Sequence, residues 1–182
     1  FFFFFPDMRT IYFISMLVNL VLAISMLVCW RTQKTYAGFA HMVLSTGLVA
    51  IAFLLFAVRG WIPELISILG ANLVVGLAEL YRLEGFRRFV GIEQFRLGNL
   101  IPVAVMLLLA VYFSFEQNSE FIRALIMSIV VIYFIVNIIY TLATSSNQGE
   151  KPLIRVIMLI HAGYVLVMAG RILTWGLFMP DM

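Results

Sequence analysis

Apolar residues along this chain neither alternate with polar ones nor trace a single helical stripe. They form long unbroken runs separated by brief polar interruptions. The runs cover about residues 10–30, 36–58, 61–81, 99–115, 120–144 and 152–178. A helix needs about 20 predominantly apolar residues to cross a hydrocarbon layer about 30 Å thick, because each residue rises about 1.5 Å. The pattern therefore predicts an all-α integral membrane helical bundle of six transmembrane helices, forming one domain over residues 1–182. Its connections are too short to hold further domains and make consecutive helices antiparallel neighbours.

The interruptions carry recognisable signals. Arg31 and Lys34 close the first run and Arg59-Gly60 the second. Trp61-Ile62-Pro63-Glu64 opens the third, with proline suited to a first helical turn and a carboxylate suited to the positive end of a helix dipole. The segment Arg82 to Gly91 then interleaves cations with aromatics, which predicts a short interfacial stretch after the third span whose Arg82, Arg87 and Arg88 touch anionic headgroups. Trp30, Tyr36, Trp61, Tyr81 and Trp175 fall at predicted span ends, as interfacial aromatic belts do.

Composition sharpens this picture. The 182 residues are 64% apolar and 12% charged, where soluble domains run at about 45–50% and 25%. The net charge of +3 does not indicate nucleic acid, because the basic residues lie in loops rather than along one polar face. One set of loops holds Arg31, Lys34, Arg82, Arg87, Arg88, Arg96, Lys151 and Arg155, the other Arg9, Arg59, Arg123 and Arg171. That asymmetry predicts the first set in the cytoplasm and the N-terminus outside it, as in a multi-pass protein of a bacterial inner membrane. With an even number of spans the C-terminus is expected outside too, and a seventh helix after Met182 would return the chain to the cytoplasm. The opening Phe1 to Phe5 has no basic region before it and does not have the form of a cleavable signal peptide. A lone cysteine, Cys29, excludes an intrachain disulfide and a cysteine-rich metal site.

No nucleophile with a paired base, no phosphate-cradling glycine loop and no metal-spaced His/Glu motif is present, so no enzyme is expected. Candidate chemistry reduces to polar residues within the spans, which are costly in lipid. His41 and His161 lie about 8 and 13 Å deep from the same side, counting about 1.5 Å per residue. They fit either axial ligands of a b-type haem or side chains bonded to a neighbouring helix or headgroup. Glu79 has Arg82 within reach three residues on, either as a simple ion pair or as a proton-sensitive contact. Asn19, Asn72 and Asn137 are expected to hydrogen-bond between helices or to line a polar ligand pocket. Arg9, Arg59, Arg123 and Arg171 sit near the outer boundary, to snorkel or to bind an anionic ligand, and Arg171 is followed by a further apolar stretch. Gly163 and Gly170, beside Ala162 and Ala169, make a small-residue strip for close helix packing on the last span.

A set of short motifs, in order, resembles a known family. They are Asp7-Met8-Arg9-Thr10, Asn19, Trp30-Arg31, Tyr36-Ala37-Gly38-Phe39, Arg59 to Leu65, Ala71-Asn72 and Glu84 to Gly91. The chain resembles the N-terminal membrane region that precedes GGDEF domains in bacterial diguanylate cyclases, most clearly over its first half, with Arg171 also compatible. The resemblance implies a sensory or regulatory input module of a cyclic di-GMP signalling protein, working as a homodimer or in a larger membrane complex. It implies that a further helix and a cytoplasmic catalytic domain follow in such proteins; the GGDEF signature itself is not in this chain. The expected function is thus to bind a small or lipidic ligand, or to sense the bilayer. The alternatives are a haem-b-binding or an accessory structural subunit of a larger membrane complex.

Overall fold

The computed structural model describes residues 7–92, 97–115, 120–144 and 151–178, with backbone alone at helix-end positions 64, 65, 115, 120, 151, 171 and 174–178. Among the described residues there are six α-helices: α1 (Met8–Thr32), α2 (Phe39–Ala57), α3 (Glu64–Phe89), α4 (Leu100–Phe115), α5 (Glu120–Ala143) and α6 (Lys151–Phe178). All six are long and apolar enough to cross a membrane. The chain is a multi-pass, all-helical membrane protein.

The third helix departs from the sequence pattern. The basic and aromatic segment after it is not a separate interfacial piece but the last two turns of α3, which continues unbroken to Phe89. The reason is local: Glu79 pairs with Arg82 and Glu84 with Arg87 on the same helix, so the charges satisfy one another without leaving it. The stop comes at Gly91, whose positive φ of 87° lets Ile92 N–H reach the Arg87 carbonyl at 2.8 Å and Gly91 N–H reach that of Arg88 at 3.1 Å. This is the paired closure of a Schellman motif.

The hairpins are equally local. Gly38, at φ 92°, begins α2 and its carbonyl accepts from the His41 and Met42 amides. Tyr36, just before it, packs edge-on against Phe89 at the end of α3, with ring centroids 4.9 Å apart. Gly60 turns the α2–α3 connection at φ 93°, and the Arg9 guanidinium lies over it.

α3 is the centre of the bundle. It packs against α2, α4 and α5, while α1 packs on α2 and α6 on α5. The buried core joins Leu80 and Leu83 of α3, Val103 and Met106 of α4, Phe134 and Ile138 of α5, and Ile154 of α6. Half of the α3 span is buried against 6% for α1 and α6, although α3 is the least hydropathic span, at 1.4 against 2.0 or more for the others. In lipid that inversion is expected, because the polar helix gains most by turning inward.

Two hydroxyls tie α2 to α3: Ser45 Oγ donates to the Ala78 carbonyl at 2.8 Å and Ser67 Oγ to the Leu55 carbonyl at 3.0 Å. The asparagines do not play this part. Asn19, Asn72 and Asn137 each donate to the carbonyl four residues back on their own helix, at 2.8 Å. Their short side chains find that carbonyl closer than any neighbouring helix, which corrects the interhelical expectation.

At Gly38 a Cβ would run into the Gly85 carbonyl oxygen, and its φ already disfavours an L side chain. Gly38→Ala is expected to cost about 1–3 kcal/mol or more, read as a lowered thermal unfolding midpoint in detergent. Gly163→Ala, which meets open space within α6, should leave that midpoint unchanged or raise it.

Candidate functional site: an amphipathic cavity against α3

A cavity of about 630 Å³ lies against one stripe of α3, formed by Val75, Glu79, Arg82 and Phe86. These positions recur every three or four residues and so share a helical face. Opposite walls come from Asn19 and Met26 of α1, the Met42 to Phe56 face of α2, Met127 to Val131 of α5, and Ile157 to Met168 of α6. The extended packing of α1 is with α2 and that of α6 is with α5. The cavity therefore occupies the seam between the α1–α2 hairpin and α6, with α3 and α5 as its floor.

Glu79, Arg82 and His161 lie toward the end where α1 and α3 finish and α2 and α6 begin, while Asn19 and Ser128 line the cavity farther along. Arg82 Nη1 donates to both Glu79 oxygens, at 2.8 and 3.1 Å, which is the pair that the spacing predicts. The two partners are unequally covered: the Glu79 side chain is 6% exposed and that of Arg82 is 26%. His161 faces the edge of Phe86, with ring centroids 5.2 Å apart, and its Nδ1 lies 2.8 Å from the Ile157 carbonyl. A carbonyl only accepts, so Nδ1 carries the hydrogen and Nε2 of the neutral ring is the accepting nitrogen. Further along, Phe53, Phe56, Val75 and Met168 make the lining apolar.

The other expected site residues lie elsewhere. Glu84 and Arg87 form a second pair at 2.8 Å, each side chain 5% exposed, with Glu84 Oε2 unbonded among the described residues. Arg87 thus corrects the expectation of a headgroup contact, because its guanidinium is held inside the bundle by Glu84. Arg82 is likewise turned to Glu79 and the cavity, while Arg88 is exposed. Asn72 is buried within α3, and neither it nor Asn137 lines the cavity. The Arg171 side chain falls outside the described residues.

His41 and His161 are not brought to one cavity. His161 lines it; His41 does not, its ring lying 6.1 Å from that of Tyr81 and its buried Nδ1 unbonded among the described residues. Tyr81 lies about 200° around α3 from Glu79, at about 100° per residue, so His41 sits against another face of the helix. A haem with both imidazoles as axial ligands does not fit this arrangement. No group of three or more His, Cys, Asp or Glu side chains suited to a metal ion occurs among the described residues.

Sequence reasoning missed most of the cavity wall. Met26, Met42, Met127 and Met168 converge on it from four helices. Methionines in an apolar run give no sign of where they will meet, and none is spaced from another as a motif would be. No family model, no characterised protein and no solved structure matches the chain.

Two outcomes follow from this geometry. Haem-supplemented expression should yield no Soret spectrum of a bis-imidazole haem; a band lost in both His41→Ala and His161→Ala would overturn the separation of the two rings. Arg87→Met should destabilise the protein by about 3–5 kcal/mol, because it strands a buried carboxylate, and adding Glu84→Met should restore most of the loss in a detergent unfolding assay.

Proposed function

We propose that this chain is a membrane-embedded sensory or regulatory input module that binds a small or lipidic ligand between its helices. The observation that carries the reading is the cavity, which combines a polar end holding the Glu79–Arg82 pair with an apolar remainder. Ligand sites are concave, mostly apolar and oriented by a few polar groups, with volumes of about 300–1,000 Å³.

The packing supplies a way to respond. Since α1 leans on α2 and α6 on α5, the seam between them can change width while α3 keeps its packing against α2, α4 and α5. A ligand shifts that balance only by binding one arrangement more tightly than the other. On this reading the exposed Arg31, Lys34, Arg88 and Arg155 mark the cytoplasmic side of a bacterial inner membrane and the N-terminus is periplasmic. The output is passed to a cyclic di-GMP-type catalytic domain, in a homodimer or larger complex. The alternative role, an accessory structural subunit, draws on the broad exposed faces of α1 and α6.

Mass spectrometry of gently solubilised protein separates the two. The wild type should retain a small or lipidic molecule, and Val49→Phe, which places a ring at the cavity wall, should lose it while remaining folded. Identical contents in the two proteins would favour the structural role.

A further inference from the structure

Resting on the ligand-binding reading, the sign and shape of the cavity narrow the ligand's class. The charge within reach is positive, because the carboxylate of the Glu79–Arg82 pair is nearly covered while the guanidinium is open to the cavity. Both bonds to Glu79 use Nη1, which leaves Nε and Nη2 of Arg82 unbonded among the described residues. Those two donors form the side-on edge of the guanidinium, the fork that matches two oxygens of a carboxylate or phosphate.

The smaller polar residues of the wall are already committed. Ser45 donates to Ala78, Thr46 to Met42 and Asn19 to Ser15. His161 adds an accepting Nε2 on a ring that lines the same end, suited to the O–H that a singly ionised phosphate monoester retains.

The cavity runs along α2 from Met42 to Phe56, and beyond Ser45 and Thr46 its lining turns apolar from Val49 to Phe56, which at about 1.5 Å per residue is about 10 Å. A cavity of about 630 Å³ in all, polar end included and within the range of drug-sized ligands, suits one hydrocarbon chain better than the two of a bilayer phospholipid. The seam between the α1–α2 hairpin and α6 adjoins the two helices most exposed to lipid, which is where such a molecule partitions.

We infer that the cavity binds a single-chain amphiphile with an anionic head, a carboxylate or phosphate monoester, seated on the Nε–Nη2 edge of Arg82 beside His161 with its chain directed toward Phe56. The head shares the guanidinium with Glu79. Arg82 therefore attracts the ligand, and Glu79 both repels it and competes for the same cation.

The test uses the full chain in nanodiscs of zwitterionic lipid and displacement of a fluorescent single-chain carboxylate. Oleate should compete at least about ten-fold better than oleyl alcohol or a trimethylammonium of equal chain length, the scale of a charge-assisted hydrogen bond. Acetate, which has the head without the tail, should not compete. Arg82→Gln should weaken oleate by about ten-fold or more and leave the alcohol unchanged. Glu79→Gln should tighten oleate, the opposite direction. The double variant Glu79→Gln/Arg82→Gln removes both charges of the pair and should keep the oleate loss even where Arg82→Gln alone folds poorly.

Equal competition by acid, alcohol and ammonium, with Arg82→Gln silent, would overturn the anionic head while leaving the ligand-binding reading intact. Acetate competing as well as oleate would overturn the chain. A probe that binds neither the wild type nor Val49→Phe would overturn the inference, and identical co-purified contents in those two proteins would remove the reading beneath it as well.

Discussion

The need to satisfy polar groups where no water is available organises this bundle. α3 carries Glu79, Arg82, Glu84 and Arg87 within three turns, and in hydrocarbon each charge must find a partner or an aqueous space. The helix meets that need twice over with i,i+3 pairs and then turns the paired face inward. This explains why the least hydropathic span is the most buried, and why α2, α4 and α5 gather around it while α1 and α6 remain at the lipid boundary.

The two pairs have different surroundings and hence different uses. Glu84–Arg87 is closed on both partners, so it behaves as structure: removing either half exposes the other to an uncompensated desolvation cost. Glu79–Arg82 lies at the edge of a cavity with its cation partly open, so it has an unused bonding edge beside a ligand-sized space. The difference comes from helical phase alone, as Glu79, Arg82 and Phe86 share the stripe that faces the α1–α2 and α6 seam.

Interhelical adhesion comes from less conspicuous residues than the asparagines. Serines at positions 45 and 67 reach carbonyls of the facing helix because small residues allow α2 and α3 to approach, and at Gly38 the backbone comes too near the Gly85 carbonyl to admit a Cβ. A side-chain amide on a helix has its own i−4 carbonyl at hand, so Asn19, Asn72 and Asn137 settle there and make no cross-link among the described residues.

The sequence by itself determined the six helices and their order, because a 20-residue apolar run has one stable form in a bilayer. It also determined the Glu79–Arg82 pair, since i,i+3 neighbours meet on any helix. It did not show that α3 continues through its basic segment: cations and aromatics suit an interface and a buried helix end equally, and burial of Arg87 by Glu84 decides between them. Nor did it show which polar residues share a space. His41 and His161 stand at similar depths from one side, yet the rotation of each helix about its axis sends them to different faces, and Met26, Met42, Met127 and Met168 join a single cavity from distant parts of the chain. Depth follows from counting residues along a helix; azimuth is set by packing against neighbours, and only the tertiary structure decided it.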